Sequence, residues 1–418
     1  MKSAIIHCGQ LVTVSGSGPK TGPAMSDLGI IPDGAVIWEE GRITHVGTTD
    51  ELRPHLPPDS QTTDLEGKVL TPGLVDAHTH LVFAGSRANE FEARAQGKSY
   101  VEIAAEGGGI LSTVRAVRTA TEDELFDQAR QHADWMIANG TTTAESKSGY
   151  GLDLESELKI LRVNRRLREQ GPLKISSTFL GAHAVPPEFK GRSDDYVALV
   201  EDEMLPAVAR EGLATWCDVF CESIAFRQEQ TARIASAAKS HGLKLRLHVD
   251  QLTSAGGAQL AARLGAKTAD HLELVSAEGI RALADKGVTP VHLPASVFCL
   301  GHTTYPPARA MIAAGLPVVL ATDFNPGSSP TPSLPFVMSL ACTQMGMTPA
   351  EALLACTLNA AHSLDLGHDV GSIDVGKSAD LTAWNCSDYR EIPYFAGAPL
   401  CQHVWASGQL LTRRQASD

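Results

Sequence analysis

The sequence predicts an α/β protein, a (β/α)8 TIM-type barrel with a small β-sandwich domain built from both chain ends. Three observations predict it. The first seventy and last fifty residues read as short strands and turns without helical periodicity. Between Leu70 and Gly371, eight β-rich runs alternate with helical stretches. The polar residues that close several of those runs are histidines, placed where a barrel presents its catalytic side chains. At 418 residues the chain also exceeds the roughly 250 to 300 that one hydrophobic core serves, so a large unit and a smaller one are expected. We set their limits at 1–69 with 372–418 for the composite β-sandwich, and 70–371 for the barrel.

At the amino end, GAVIWEEGRITHVG alternates apolar residues on either side of a Glu40–Gly41 turn. At the carboxyl end, ADLTAWNCSD and QHVWASGQLL repeat that texture, and the second folds back at Ser407–Gly408. Neither end has enough strands to close a core alone, so the two should pair in one sandwich or sheet. The barrel runs are LVDAHTH, TTTAES, ISSTFLGAH, WCDVFCES, LKLRLHVD, KTADHLE, VTPVHLP and PVVLATDFN. Helices fit between them: DLESELKILRVNRRL spaces Leu154, Leu158 and Leu161 at i, i+4 and i+7, with Asp153 as N-cap. Alternating strands and helices also fit an open doubly wound sheet, but no GxGxxG follows the first strand. The Pro-rich NPGSSPTPSLP reads as a loop. The triple glycine Gly107–Gly109 lacks the Lys-Ser/Thr ending of a phosphate-binding loop and reads as a flexible loop without a catalytic role.

Composition excludes several classes. With 43% hydrophobic and 20% charged residues the chain can bury a sizeable core and is not a disordered segment. Thirty-five basic against forty-eight acidic residues give a formal charge of −13, which opposes attraction to nucleic acids and anionic membranes. The eight cysteines form no CxxC pair and read as reduced, mostly buried thiols. MKSAIIHCGQ lacks the apolar core of about 7 to 15 residues of a signal peptide, and no apolar run approaches the roughly 18 of a membrane span. A cytoplasmic protein is the expectation, with neither nucleic acid nor membrane as partner.

The first run ends in His78 and His80, and the period-two geometry of a strand points both imidazoles to one side, where they can grip one metal. A lone HxH is weak evidence, but the fifth run ends in His248, the sixth in His271, and the eighth runs into Asp323. Three imidazoles and one carboxylate suit zinc or ferrous iron with a position left for water, whereas calcium or magnesium would want more oxygens. We assign His78, His80, His248 and Asp323 as ligands. His271 is placed behind them, where it can orient the attacking water. Coordination lowers the pKa of such a water to about 7, so a hydroxide nucleophile is expected near neutrality, with Asp323 taking its proton.

TPGLVDAHTH, the strand-five His248, the strand-six Asp270-His271 pair and ATDFNPG together resemble the amidohydrolase superfamily, as does GSIDVGKSADL near the end. More narrowly, HLVFAGSRANEFEARAQGKSY, ESKSGYGLDLESELK, FLGAHAVPPEF and ATDFNPGSSPTPS resemble the imidazolonepropionase family of ring-opening hydrolases. The resemblance spans nearly the whole chain. It implies zinc or iron (Zn2+ or Fe2+/Fe3+), a barrel with a β-sandwich, and a homodimer. It also implies a substrate, 4-imidazolone-5-propanoate, whose ring carbonyl is attacked by water to give N-formimino-L-glutamate.

Carried over by position, the resemblance assigns substrate binding to Arg87, Tyr150, His183, Asn325, Gly327 and Ser328, with Tyr100 a weaker candidate. The residues agree with that assignment. A propionate tail calls for a planar cation, and Arg87 follows the HxH strand on a loop at the mouth. The amides and side chains after Asp323 should reach a ligand on the same ion. Some relatives carry an acid three residues after the strand-five histidine; here Gln251 can bond a ring but cannot transfer a proton, so acid–base work falls on Asp323. Binuclear relatives place a carboxylated lysine or an acid at the end of strand four, where this chain offers Cys221 and Glu222, so one metal per chain is expected. The alternatives are a deaminase of an amino-heterocycle, with the same ligands and a different pocket, and a metal-free scaffold.

Overall fold

The alternation read at the chain ends becomes one hydrogen-bonded sheet. In the computed structural model, which describes residues 2–56, 61–98, 102–103 and 107–413, its strands are β1 (Lys2–Val12), β2 (Ile30–Glu39), β3 (Arg42–Thr48), β4 (Gln61–Asp64) and β5 (Val69–Pro72) from the amino end. The barrel follows with β6 (Leu74–Asp76), β7 (Thr141–Lys147), β8 (Lys174–Ala182) and β9 (Trp216–Cys221). It continues with β10 (Lys244–Val249), β11 (Thr268–His271), β12 (Thr289–His292) and β13 (Val319–Leu320). The carboxyl end returns β14 (Leu381–Trp384), β15 (Cys401–Ala406) and β16 (Gln409–Arg413) to the first sheet.

That mixed sheet runs β16-β15-β14-β5-β1-β2-β3, with β4 also on β1. It curls over its own core, where Val36 and Trp38 of β2 share a cluster with Leu381 and Trp405. Both expected turns are present, each with two consecutive residues in the left-handed region: Glu40 at φ 50° and Gly41 at 78°, Ser407 at 47° and Gly408 at 75°. The two turns touch although three strands separate β2 from β15 along the sheet. The Trp38 indole donates to Gly408 O at 3.2 Å, and a Cβ on Gly408 would lie 2.4 Å from that indole nitrogen.

The eight remaining strands form a parallel sheet in sequence order, β6 to β13. A parallel bridge between Thr79 and Phe324 closes it, with His80 N donating to Phe324 O at 2.9 Å and Asp323 N to His78 O at 3.0 Å. Asp76 clamps the same seam: its carboxylate accepts from Thr322 N at 3.1 Å and from Thr322 Oγ1 at 2.6 Å. All seven residues of β7 are buried, as befits a strand enclosed on both faces. The helix Leu154–Gln170 is capped by Asp153, which accepts from Ser156 N at 2.7 Å, and it buries Leu158 and Leu161 while Leu154 stays half-buried. Six of the eight cysteines are buried. Among the described residues no helix is long and apolar enough to cross a membrane.

The seam between the two turns gives a direct test. Gly408→Val places a β-branched residue at positive φ against Trp38, and should cost about 2 to 4 kcal/mol of stability. Urea unfolding would read this, and a loss under 0.5 kcal/mol would mean that the turns do not bind the sheet ends together.

Candidate metal centre and active site

Closing the barrel assembles the candidate ligands. His78 and His80 stand just past β6, and their Nε2 atoms lie 3.6 and 3.5 Å from Asp323 Oδ1 across the seam. His248 on β10 and His271 on β11 complete the ring of strand ends. Coordinating atoms of His78, His80 and Asp323 fall within 4.8 Å of one another, as do those of His78, His248 and His271. His271, expected behind the ligands, thus comes as close to His78 and His248 as a ligand would.

The ring orientations have a physical cause. His78 Nδ1 is 2.7 Å from Asp270 Oδ2, and His248 Nδ1 is 3.0 Å from Asp218 Oδ2. Asp270 fixes Nδ1 of His78 by a hydrogen bond, Asp218 stands in charge contact with Nδ1 of His248, and both leave Nε2 for the site. Both Nε2 atoms are buried without a hydrogen-bond partner. Buried polar atoms of a native protein are almost always partnered, so two orphaned imidazole nitrogens beside a carboxylate fit a divalent metal.

Protonation states agree with that fit. Burial lowers the pKa of His80 and His183 to about 3 and of His248 to about 4, and pushes His78 well below its usual value. These rings are neutral, as ligands must be. Burial also opposes protonation of His271, but Glu273, with Oε1 3.2 Å from its Nδ1, outweighs it together with Asp323 and Asp270, and its pKa rises. Burial raises that of Asp323 against the pull of His271 and His248.

Beneath the imidazoles lies a layer of charge. Lys147 Nζ reaches Glu145 at 2.9 Å and Asp218 at 2.8 Å, and Arg246 Nη2 reaches Asp270 at 3.4 Å, all fully buried. Sequence reading used Asp270 only as part of a motif and gave none of these five residues a role. The signal was present: charged side chains inside TTTAESK, WCDVFC, LKLRLHVD and TADH cannot reach water from a closed barrel, so they must pair.

Above the ligands opens a cavity of about 670 Å³, lined in part by His80, His183, His248, His271 and Asp323. Of the expected substrate residues, Arg87, Tyr150, His183, Gln251, Asn325, Gly327 and Ser328 all line it. His183 stacks on His80 at 5.0 Å between centroids and 16° between planes, and its Nδ1 is 3.0 Å from Gly149 O. Arg87 is not a solvated surface residue, its side chain being 9% exposed and paired with Glu90. Tyr100 lies outside the described residues. Arg94 and His302 also line the cavity and were missed.

After Asp323, Gly327 N and Ser328 N both donate to Asn325 Oδ1 at 2.8 Å. Asn325 Nδ2 in turn donates to Asp323 O at 2.6 Å and Ser328 Oγ at 2.8 Å, so its side chain closes the loop that carries Asp323. Glu222 does not turn toward the metal ligands. It accepts from Leu252 N at 2.8 Å and Thr253 Oγ1 at 2.6 Å, bracing the loop next to Gln251. Neither it nor Cys221 joins a metal-holding group among the described residues.

Comparison with known proteins adds what geometry alone does not. Residues 69–411 match the Amidohydrolase family. The chain is 54% identical to an imidazolonepropionase from Solibacter usitatus (strain Ellin6076) over 99% of both chains. It is 50% identical to an imidazolonepropionase from Geobacillus kaustophilus (strain HTA426) over 96% of both. Among solved structures it is similar in fold to an E. coli guanine deaminase, with a TM-score of 0.75 at 14% identity over 99% of this chain and 100% of that one. It is likewise similar to an adenosine deaminase from Xanthomonas campestris with bound zinc, with a TM-score of 0.70 at 20% identity over 97% and 92%.

The carboxylate behind His248 is open to test. Asp218→Asn removes the charge that orients the ring, and metal affinity should fall about 10- to 100-fold while the protein stays folded. Competition with a chromophoric chelator measures this, and unchanged affinity would mean that the ring is held by packing alone.

Proposed function

The chain belongs to the amidohydrolase family, within its imidazolonepropionases, and on that premise we propose how its own residues open the ring of 4-imidazolone-5-propanoate to N-formimino-L-glutamate. One observation carries the reading: neutral, unpartnered imidazoles converge with Asp323 in the cavity that Arg87 also lines. His78, His80, His248 and Asp323 would hold one zinc or iron ion per chain. Such an ion supplies a Lewis acid toward the ring carbonyl and lowers the pKa of the attacking water.

The protein groups do the rest. Arg87 binds the propionate carboxylate, Tyr150 and Gln251 bracket the ring, and the tail fixed at the mouth sets the lactam carbonyl over the ligands. Asp323 accepts the proton of the attacking water as its oxygen bonds to the carbonyl carbon. The ring carbon–nitrogen bond then breaks, and Asp323 returns the proton to the departing nitrogen. His271, held by Glu273, stabilises the negative charge on the carbonyl oxygen. Asn325 acts by holding Asp323, and Tyr100 remains a candidate for the tail.

The same reading includes a homodimer and the cytoplasm, the latter supported by a cysteine set without CxxC pairs and mostly buried. It keeps the composite unit 1–69 with 372–418 set on a barrel unit 70–371.

Incubation with imidazolone propanoate should consume the ring chromophore and give a product heavier by one water, with no ammonia released. Stoichiometric ammonia from a preferred amino-heterocycle would move the activity to deamination. Elemental analysis should find one transition metal per active chain, and His248→Ala should lose both metal and turnover. Two tightly bound ions, or full activity after exhaustive chelation, would overturn the ligand assignment.

A further inference from the structure

Two features of the sequence have no place in the mechanism so far: the triple glycine Gly107–Gly109, and the first of the two acids in RANEFE, Glu90. The structure brings them together. Glu90 Oε2 accepts two hydrogen bonds from Arg87, from Nε at 2.9 Å and Nη2 at 2.7 Å. Its other oxygen, Oε1, accepts from Gly109 N at 2.9 Å. A Cβ on Gly108 would lie 3.1 Å from that oxygen and 2.7 Å from the Ile103 side chain. The side chains of Arg87 and Glu90 are only 9% and 14% exposed.

A guanidinium has five N–H donors in a rigid plane. Glu90 takes the N–H of Nε and one of Nη2, so both N–H groups of Nη1 and the second of Nη2 are left to bind. Nη1 lies against Gly327, where a Cβ would come within 2.0 Å of it. One helical face, Ala88–Ala95 with Arg87 at its cap, thus carries Arg87, Glu90 and Arg94 at i, i+3 and i+7, and Arg94 Nη1 donates to Gly327 O at 3.3 Å.

We propose that Glu90 is a positioning residue for recognition of the substrate's carboxylate tail, and that Gly107–Gly109 is the seat that holds it. The chain of contacts runs from Gly109 N to Glu90, from Glu90 to Arg87, and from the remaining N–H groups of Arg87 to the tail. Preorganising one edge of the guanidinium removes the cost of ordering a long side chain when substrate binds. It also makes the site choosy, since a fixed edge rewards a carboxylate set at one distance from the ring. Gly108 serves because a carboxylate seated there leaves no space for a side chain beside it, and Gly107 and Gly109 because their φ of 87° and 73° favour glycine.

This inference rests on Arg87 as the tail anchor, and the experiment separates the two. Steady-state kinetics would be measured on the metal-loaded full chain, as parent, Arg87→Met, Glu90→Gln and the double variant. Substrates are imidazolone propanoate and its propanamide analogue, which lacks the charge. Arg87→Met should raise KM for the propanoate by about 100-fold. Glu90→Gln should raise that KM about tenfold with kcat within about threefold, leave kcat/KM for the propanamide unchanged, and add nothing in the Arg87→Met background.

Unchanged KM in Glu90→Gln, an equal loss on both substrates, or a full additive effect in the double variant would overturn the role of Glu90. Unchanged KM in Arg87→Met would overturn the anchor itself, whatever Glu90 does. If Glu90→Gln loses metal or folds poorly, Glu90→Asp keeps the charge and shortens the reach. It should then show the same confinement of its effect to the propanoate, and loss on both substrates would overturn the proposal.

Discussion

The structure depends on the charge layer inside the barrel. Lys147, Arg246, Glu145, Asp218 and Asp270 are all 0% exposed. None could be left without a partner, because an unpaired buried charge costs several kcal/mol. Their pairing is therefore obligatory, and it fixes how β7, β9, β10 and β11 stand relative to one another. It also fixes the ligands, because the carboxylates that answer Lys147 and Arg246 are those that hold His248 and His78. Three acids against two bases leave a formal excess of one negative charge under the imidazoles, the sign that a cation site needs. A hydrophobic barrel core of the same volume would be more stable in isolation but could not orient the rings.

The same economy holds at the seam. The first and eighth strands carry His78, His80 and Asp323, and the bridge that closes the barrel, Thr79 to Phe324, lies between them. Closing the fold and assembling the ligands are one event. The backbone records the strain: Asp250, His271, Leu272 and Asp323 all have positive φ, at 52°, 80°, 71° and 53°, and each lies at or just past the end of a barrel strand. Non-glycine residues are held there only when the surroundings over-determine them. Asp323 has Asn325 and Ser328 beneath it, and His271 has Glu273 beside it. The loop after Asp323 is thus built to hold a carboxylate still.

Much of this was legible in the sequence because it is written with short periods. The eight runs, the Asp153 cap, both hairpin turns and the strand-end histidines each depend on residues a few positions apart, and each stands where spacing put it. What escaped depends on register between strands. Asp218 and His248 are thirty residues apart and meet because β9 and β10 lie in parallel, with His248 opposite Phe220. No local pattern reports that. The bonds of Asn325 escaped for another reason: its type and position suit a ligand-binding loop, and nothing in the spacing reports that its side chain also bonds Asp323, Gly327 and Ser328. Gly107–Gly109 read as a loop without a task because its partner, Glu90, lies nineteen residues away from Gly109.

Recognition of the tail is held differently from the chemistry. The metal ligands stand on strands with a packed interior behind them, whereas the helix Ala88–Ala95 buries none of its residues and leaves Phe91 60% exposed. Its ties to the rest of the site are polar: Glu90 to Gly109, Arg94 to Gly327 and Arg87 against Gly327. An element held by few apolar contacts sits at the low end of local stability. A carboxylate bound at Arg87 would add one more bond from this helix to the barrel, and so would tighten the element that recognises it. On the proposed anchoring at Arg87, a substrate without the tail would lose position as well as affinity.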